Sequence, residues 1–453
     1  MVSRRVQRRR RQFAVGGAIL LVLLVYLAFF SGGSGKSPTP ASPRPHTAAV
    51  RADARLPRHS PLNPDWKGDG KAVTLGFGGD VHFEGTVGAN LASDPSSALG
   101  TTIPQLFEGT QLPMVNLESV ITDGTCPEPQ DKPYIFDAPA SAVTALKSAG
   151  ISLVTEGNDH GFDCGPQGLS QNLTIASQDD YPIIGIGDTA AQAFAPYRVT
   201  IDGQRIAIIA ATQIIADNLV STWTAGPTQP GVASAIDPTE LVREVQQVRP
   251  TADTVIVYLH WGTETQTCPD AQQEPLAEEL VRAGADVVIG SGAHVLLGGG
   301  FLGGAYVDYG LGNFAFYDYA PPETDSGSLI LTTEGRHVLS AVWRPATIVA
   351  GLPEPLSGAP AAAAVQSWNA ARACTDLSAT PTASLATVRS QTVPFVAPPA
   401  PTTTTTAPPT STTAAGSTTT PSSAAASTTT VSTTTSTTPA PTTTSPTDNA
   451  GTG

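Results

Sequence analysis

The chain has 453 residues, a formal net charge of −14 and only 14% charged residues. That acidic balance excludes a nucleic-acid partner, which calls for a basic face. Length alone would allow two or three domains, but the aromatic and β-branched residues needed for a core are concentrated in residues 72–350, enough for one large domain.

Residues 1–12 are basic, with Arg4, Arg5, Arg8, Arg9, Arg10 and Arg11. Residues 13–30 follow as an uncharged apolar run that meets the lower length limit for a membrane-spanning helix. The arginines hold its start in the cytoplasm. The expectation is therefore a single-pass signal anchor in the cell membrane, with the C-terminal domain extracellular. A cleaved signal peptide competes with this. Ala28-Phe29-Phe30 ends the run with bulky residues, but the following Ser31-Gly32-Gly33-Ser34-Gly35 leaves cleavage open. Residues 31–71 are rich in Pro, Gly, Ser, Ala and Arg and read as a disordered spacer.

Strands and helices then alternate. Strands are predicted at residues 73–77, 112–115, 151–154 and 182–185, with helices at 140–148 and 166–177. Residues 197–201 and 205–211 flank Asp202-Gly203, a hairpin signal. A helix at 238–248, with Asp237 as N-cap, leads to an apolar strand at 254–259. A helix at 274–283 stops at Gly284, before a strand at 286–289. Further strands are expected at 305–308, 328–333 and 337–343, giving a layered α/β arrangement with antiparallel additions. Gly298-Gly299-Gly300 and Gly303-Gly304 make no Walker loop and read as a Gly-rich turn. Residues 351–397 form a C-terminal extension. Residues 398–453 are almost only Thr, Ser, Pro and Ala and cannot bury enough apolar surface to offset their ordering entropy. A glycosylated or wall-crossing stalk and an inert tail both fit them. Four cysteines, Cys126, Cys164, Cys268 and Cys374, contain no CxxC pair and suggest disulfides of undetermined connectivity.

Polar groups recur where strands end. Asp80 and His82 follow the first, Asn116 and Glu118 the second. Asn158, Asp159 and His160 follow the third, within Gly157-Asn158-Asp159-His160-Gly161-Phe162-Asp163-Cys164-Gly165. His260 closes the apolar strand before Trp261-Gly262-Thr263-Glu264, and His294 follows the strand at 286–289. Gly, Asn and Asp are ordinary turn residues, and a lone histidine is usually structural. Four of the seven histidines at strand ends, among carboxylates and asparagines, point instead to a metal or catalytic site. A two-metal hydrolytic centre needs a bridging oxygen ligand and several imidazoles, with a further histidine to protonate a leaving group. A serine-hydrolase elbow finds no support.

The ordered set Gly79-Asp80, Asn116-Leu117-Glu118, Asn158-Asp159-His160 with Asp163 and Gly165, His260-Trp261-Gly262 with Glu264, Gly284-Ala285-Asp286-Val287-Val288-Ile289-Gly290, His294 and Leu311-Gly312-Asn313-Phe314 resembles the CapA family of poly-γ-glutamate capsule synthesis proteins. The resemblance implies a fold like that of calcineurin-like metallophosphoesterases, a four-layer β-sandwich flanked by helices, attached to the membrane. It implies one or two divalent metal ions (Mn, Zn, Fe or Mg) on Asp80, Glu118, His260 and His294, with His82, Asn158 and Asp159 as further ligands. His160, Asp163 and Glu264 would serve catalysis, and Asn116 and Asn313 would complete the site. The implied role is the synthesis, export or anchoring of an anionic surface polymer or its phosphorylated precursor, within a capsule-synthesis membrane complex.

Two departures stand out. The family commonly carries Asn directly before the His of the Asn-His motif, where this chain has Asp159. It also tends to carry a His-x-His pair where this chain has Gly292-Ala293-His294. The missing imidazole predicts one tight ion and one weak or absent ion, and a gain on Gly292→His provided that the glycine is not required at positive φ. A hydrolase or transferase, a non-enzymatic component of a polymer-export assembly, and a general extracellular phosphoesterase all remain open. The acidic charge offers no grip on a polyanion, so metals or basic groups near the site would have to supply it.

Overall fold

Alternate residues of the central strands serve two different cores, and this alternation builds the molecule. The computed structural model describes residues 70–383 and 385. In chain order the strands are β1 (Val73–Val81), β2 (Leu112–Leu117), β3 (Val120–Thr122), β4 (Asp137–Pro139), β5 (Leu153–Thr155) and β6 (Ile183–Ile184). They continue as β7 (Ile186–Gly187), β8 (Tyr197–Ile201), β9 (Gln204–Thr212), β10 (Gly231–Val232), β11 (Thr254–His260) and β12 (Val287–Ser291). The remainder are β13 (Gly299–Leu302), β14 (Ala305–Asp308), β15 (Asn313–Ala315), β16 (Asp325–Glu334), β17 (His337–Val349) and β18 (Leu352–Pro355).

An eight-stranded sheet runs β18-β17-β16-β1-β2-β5-β6, with β15 pairing to β1 near its end. A six-stranded sheet runs β13-β14-β12-β11-β9-β8. Val73, Leu75 and Phe77 of β1 pack in one core with Ile206 and Ile208 of β9, Ile256 and Tyr258 of β11, and Val287 and Ile289 of β12. The two sheets therefore face each other. The intervening residues of β9, β11 and β12, such as Ala207, Val257 and Val288, pack outward against Leu241 and Val245 of the helix Thr239–Val248 and Leu276 and Leu280 of the helix Gln273–Ala283. On the other side Val115 and Leu117 meet Val87 and Leu91 of the helix Gly85–Ser93 and Val143 and Leu146 of the helix Ser141–Ser148. The period-two pattern places each side chain in one core or the other. Each fully buried aliphatic or Phe side chain contributes about 1.5–3 kcal/mol.

The expected hairpin forms, with β8 antiparallel to β9 and Asp202 (φ 49°) and Gly203 (φ 83°) both in the left-handed region that a two-residue turn demands. The N-cap of the helix Thr239–Val248 is Pro238 rather than Asp237, which sits one residue earlier and accepts at Oδ1 from Thr239 N at 3.0 Å. The strand expected at 182–185 is β6 alone, and beyond Gly185 the chain enters β7, in a different sheet. The glycines at 298–300 are not merely a turn: Gly299–Leu302 is an edge strand antiparallel to β14. A Cβ on Gly299 would lie 2.4 Å from Asp308 Oδ2, so only glycine lets this strand in so closely. The C-terminal extension packs on the domain through the helix Gly358–Ala371. Its Trp368 stacks on Trp343 of β17 at 5.3 Å and 7°.

The basic segment, the apolar run at 13–30, most of the spacer and the Thr-rich tail lie outside the described residues. Among the described residues no helix is long and apolar enough to cross a membrane.

Candidate metal centre

The parallel strands of both sheets point their C-terminal ends at one edge, the usual place for a site in such sheets. β1, β2 and β5 are parallel neighbours in one sheet, and β9, β11 and β12 in the other. Register brings Asp80 beside Asn116 on one flank and Asn313 on the other. Gly79 makes the approach to β15 possible, because a Cβ there would sit 1.8 Å from Gly312 O. From the facing sheet, His260 lies in register with Ser291.

Asp80, Glu118 and His260 each offer one ligand atom, all within 4.8 Å of one another. Glu118, Asp159 and His160 form a second such group. Glu118 belongs to both, as a bridging carboxylate would. Asn116 ties the first group together: its Nδ2 donates to Asp80 Oδ1 at 2.8 Å and stands 3.1 Å from His260 Nδ1. Asn158 supports Asn116, donating to its Oδ1 at 2.9 Å and to Leu117 O at 2.7 Å, while its own Oδ1 accepts from His160 N. Asn158, expected as a ligand, thus spends its amide on holding the loop. His294 Nδ1 stands 3.4 Å from Asp80 Oδ2 and 2.8 Å from Asn313 Oδ1, which in turn is fixed by Asn313 Nδ2 donating to Glu323 O.

His160 stacks on Phe136 at 4.1 Å, and its Nδ1 is 2.6 Å from Asp163 Oδ2. Asp163 is fully buried and also accepts from Phe136 N at 2.7 Å. The sequence reading missed Lys132, whose Nζ pairs with Asp163 Oδ1 at 3.0 Å and stands 3.3 Å from His160 Nδ1. Only the folded loop shows this residue. The disulfide Cys126–Cys164 closes the loop that carries Lys132 and Phe136 on to the segment holding Asp163. Cys268–Cys374 ties the loop after β11 to the end of the C-terminal helix.

Of the expected ligands, His82, Asn158 and His294 fall outside both groups, as does the expected catalytic Glu264. His82 is fully buried; its Nδ1 accepts from Glu84 N at 2.9 Å, which leaves the proton of the neutral ring on Nε2, and that atom has no hydrogen-bond partner. It is a donor here rather than a ligand. Burial, with the charges of His160 and His294, pushes its pKa down to about 3. Glu264 is exposed on the loop after β11, where its charge acts on Tyr319.

The electrostatics are those of crowded carboxylates. Burial, with Asp80 beside it, drives Glu118 well above the usual carboxylate range. Burial also opposes ionisation of Asp80, but the hydrogen bond and charge of His294, with His260 and Asn116, hold it low. Burial would raise Asp159 too; His160, His260 and Lys132 outweigh it and hold it well below the usual range. Burial acts to neutralise His294, yet Glu118 and Asp80 raise it well above the imidazole range. Two buried carboxylates and an imidazole within ligand reach suit a hard divalent cation, which would relieve the repulsion that raises Glu118.

Gly292, where an imidazole was expected to be missing, is occupied chemically: its N–H donates to Asp80 Oδ2 at 3.1 Å. Its φ is +101°, and a Cβ would meet Trp261 N and O at 3.0 Å. The proviso on Gly292→His therefore fails. The position serves as a backbone donor that only glycine fits.

The curated relatives include a capsule biosynthesis protein CapA of Bacillus anthracis, 29% identical over 51% of this chain and 56% of that protein. A PGA biosynthesis protein CapA of Bacillus subtilis is 25% identical over 54% of this chain and 63% of that one. The chain thus spans about six-tenths of the length of these relatives. Among solved structures, a novel phosphatase of Mycoplasma pneumoniae aligns over 61% of this chain and 94% of that one, at 14% identity and a TM-score of 0.39. The family model described as bacterial capsule synthesis protein PGA_cap matches residues 74–318, more than half of the sequence and every ligand named above. The chain belongs to this capsule synthesis family.

Proposed function

We propose that the protein acts in the synthesis, export or anchoring of poly-γ-glutamate or a related surface polymer, through a divalent-metal site that performs hydrolysis or group transfer. The observation that carries this is the pair of ligand groups sharing Glu118. Asp80, Glu118 and His260 would hold one ion, and Glu118, Asp159 and His160 a second, in a mixed α/β domain. When bound, the metals supply an acidified water and a counter-charge for a developing oxyanion. The chain's own residues do the rest. Asn116 and Asn158 fix the ligands, and Asp163 and Lys132 orient the His160 ring. The cationic centre is the means by which an acidic protein would hold an anionic polymer or its phosphorylated precursor.

The proposal includes a single-pass anchor at residues 13–30 and an extracellular domain, possessing a partner complex in the membrane. Protease added to intact cells should digest the Thr-rich tail and spare the N-terminal arginines; a protected tail behind a permeable wall would refute this arrangement.

Metal analysis of the purified full chain, followed by incubation with poly-γ-glutamate and with a phosphate monoester, tests the site. Metal-dependent turnover that is abolished by Asp80→Asn is expected. Protein that binds no divalent ion, or an Asp80→Asn variant as active as the parent, would sink the idea. A polymer-holding component without turnover is the second reading, favoured by the Gly292 N–H that already takes one Asp80 oxygen. Metal and polymer binding without product would decide for it.

A further inference from the structure

The C-terminal helix leaves most of itself uncovered. Of the 14 residues of Gly358–Ala371, Trp368 alone is buried. Between this helix and the strands β16 and β17 lies a groove of about 660 Å³, the size of a small-ligand pocket. Leu296, Trp343, Ala346 and Leu356 give it an apolar floor. Pro360, Ala363, Ala364 and Ser367 recur at helical spacing, so one face of the helix is turned into it. Cys268–Cys374 lies in the lining and ties the end of the helix to the loop after β11, so the groove is preformed.

One wall is shared with the candidate metal centre. Ser326 lines the groove, and its Oγ donates to Asn313 O at 2.7 Å. Asn313 stands in register with Asp80 and lies 2.8 Å from His294 Nδ1. Leu296 lines the groove two residues after His294, and Pro322 lines it next to Glu323, whose carbonyl accepts from Asn313 Nδ2. Asn313 is thus the partition between the groove and Asp80.

The lining selects the occupant. Asp325 is its one charged side chain among the described residues and would repel an anion lodged inside. The indole nitrogens of Trp343 and Trp368 are buried, and the Ser326 hydroxyl is committed to Asn313. A peptide laid there would leave backbone N–H and C=O groups unpaired, a cost that a hydrocarbon chain does not incur. Beyond Asn313, ions on the ligand groups would suit a phosphate. A molecule with a hydrocarbon chain and a phosphate head matches both ends.

We propose that the groove under the C-terminal helix holds the hydrocarbon chain of a lipid phosphate, whose head reaches the metal-ligand groups past Asn313. The occupant rests on the metal-site role proposed above and gives the phosphorylated precursor a class, one carried on a lipid.

The test is titration of the metal-loaded full chain, free of detergent, with butyl, hexyl and octyl phosphate and with octanol. Each CH₂ fully buried in the groove should tighten binding about fourfold, so octyl phosphate should bind at least about tenfold tighter than butyl phosphate. Octyl phosphate should also bind tighter than octanol, and only while the metal is present. Ala363 is exposed in the groove, so Ala363→Trp should fill it without unfolding the domain. That variant should lose the gain with chain length but keep butyl phosphate binding, metal content and near-ultraviolet circular dichroism. Ala363→Ser, which adds little volume, should retain most of the gain. Equal affinity for butyl and octyl phosphate, a gain that survives Ala363→Trp, or octanol bound as tightly as octyl phosphate to the metal-loaded chain would each overturn the proposal. So would a dimer that Ala363→Trp dissociates, since a second copy would then fill the groove. A chain that binds no metal yet holds octanol in an Ala363-dependent way would defeat the metal-site reading alone and leave the hydrocarbon site standing.

Discussion

His260 Nε2 lies 3.0 Å from Asp159 Oδ1, joining the last residue of β11 in one sheet to the loop after β5 in the other. The contact couples the two ligand groups, because Asp159 belongs to one and His260 to the other. It also gives a physical role to the acid at position 159. Asp159 adds a charge that both His260 and the second ion would feel.

Asp159→Asn should keep the fold, bind the first ion and lose tight binding of the second. Isothermal titration of metal into the apo protein reads the stoichiometry directly. Two ions bound as tightly as in the parent would remove Asp159 from the ligand set.

His260→Ala should lower metal content and end any hydrolase activity while the fold persists. It leaves Asp80, Asn116 and Asp159 short of a buried partner, a loss of about 1–3 kcal/mol. Metal content measured alongside near-ultraviolet circular dichroism separates ligand loss from unfolding. A folded variant with full metal content would place His260 outside the centre.

Gly292→Ala should destabilise the domain by about 1–3 kcal/mol, through a side chain forced to positive φ against the Trp261 backbone. Gly292→His should do so too, with no gain in metal affinity. Denaturant titration and metal titration check the two halves of this prediction. A tightened second ion in a stable Gly292→His protein would restore the vacancy reading.

Asp308 gives a pH signature away from the centre. It is fully buried, and burial raises its pKa from 3.8 to about 7 despite the Gly310 N–H and Arg372. A carboxyl with a raised folded-state pKa contributes stability that is fully present below the unfolded value and lost as pH rises through the folded one. The stability difference between Asp308→Asn and the parent should therefore shift in favour of the variant between about pH 4 and 7. Melting temperatures of both proteins across that range check it. A constant difference would show that Asp308 is ionised throughout.

Replacing Cys126 and Cys164 together by Ser should cost about 3 kcal/mol, chiefly by freeing the unfolded chain. Because the bridged loop carries Lys132 and Phe136, the ring of His160 should also lose its fixed orientation. Histidine NMR signals would report this. A fixed His160 signal in the double variant would show that Lys132 and Phe136 hold the loop without the bridge.

The family, the order of most main strands and most of the residues that the fold gathers at the candidate site were legible in the sequence. Apolar runs of period two mark buried strands, and short polar motifs at their ends keep their identity however the chain folds. Asp80, Asn116, Glu118, Asp159, His160, His260 and His294 could be named for that reason. Tertiary structure alone decided the remainder, since those facts depend on contacts between segments far apart in the chain. The pairing of Cys126 with Cys164 required the loop path. Lys132 gave no local signal, and its role exists only because that path brings it to Asp163. Gly292 reads in sequence as a missing ligand; a positive φ and the Trp261 backbone make it a required glycine that donates to Asp80. His82 matches a ligand motif in one dimension, while the Glu84 N–H on its Nδ1 makes it a buried donor in three.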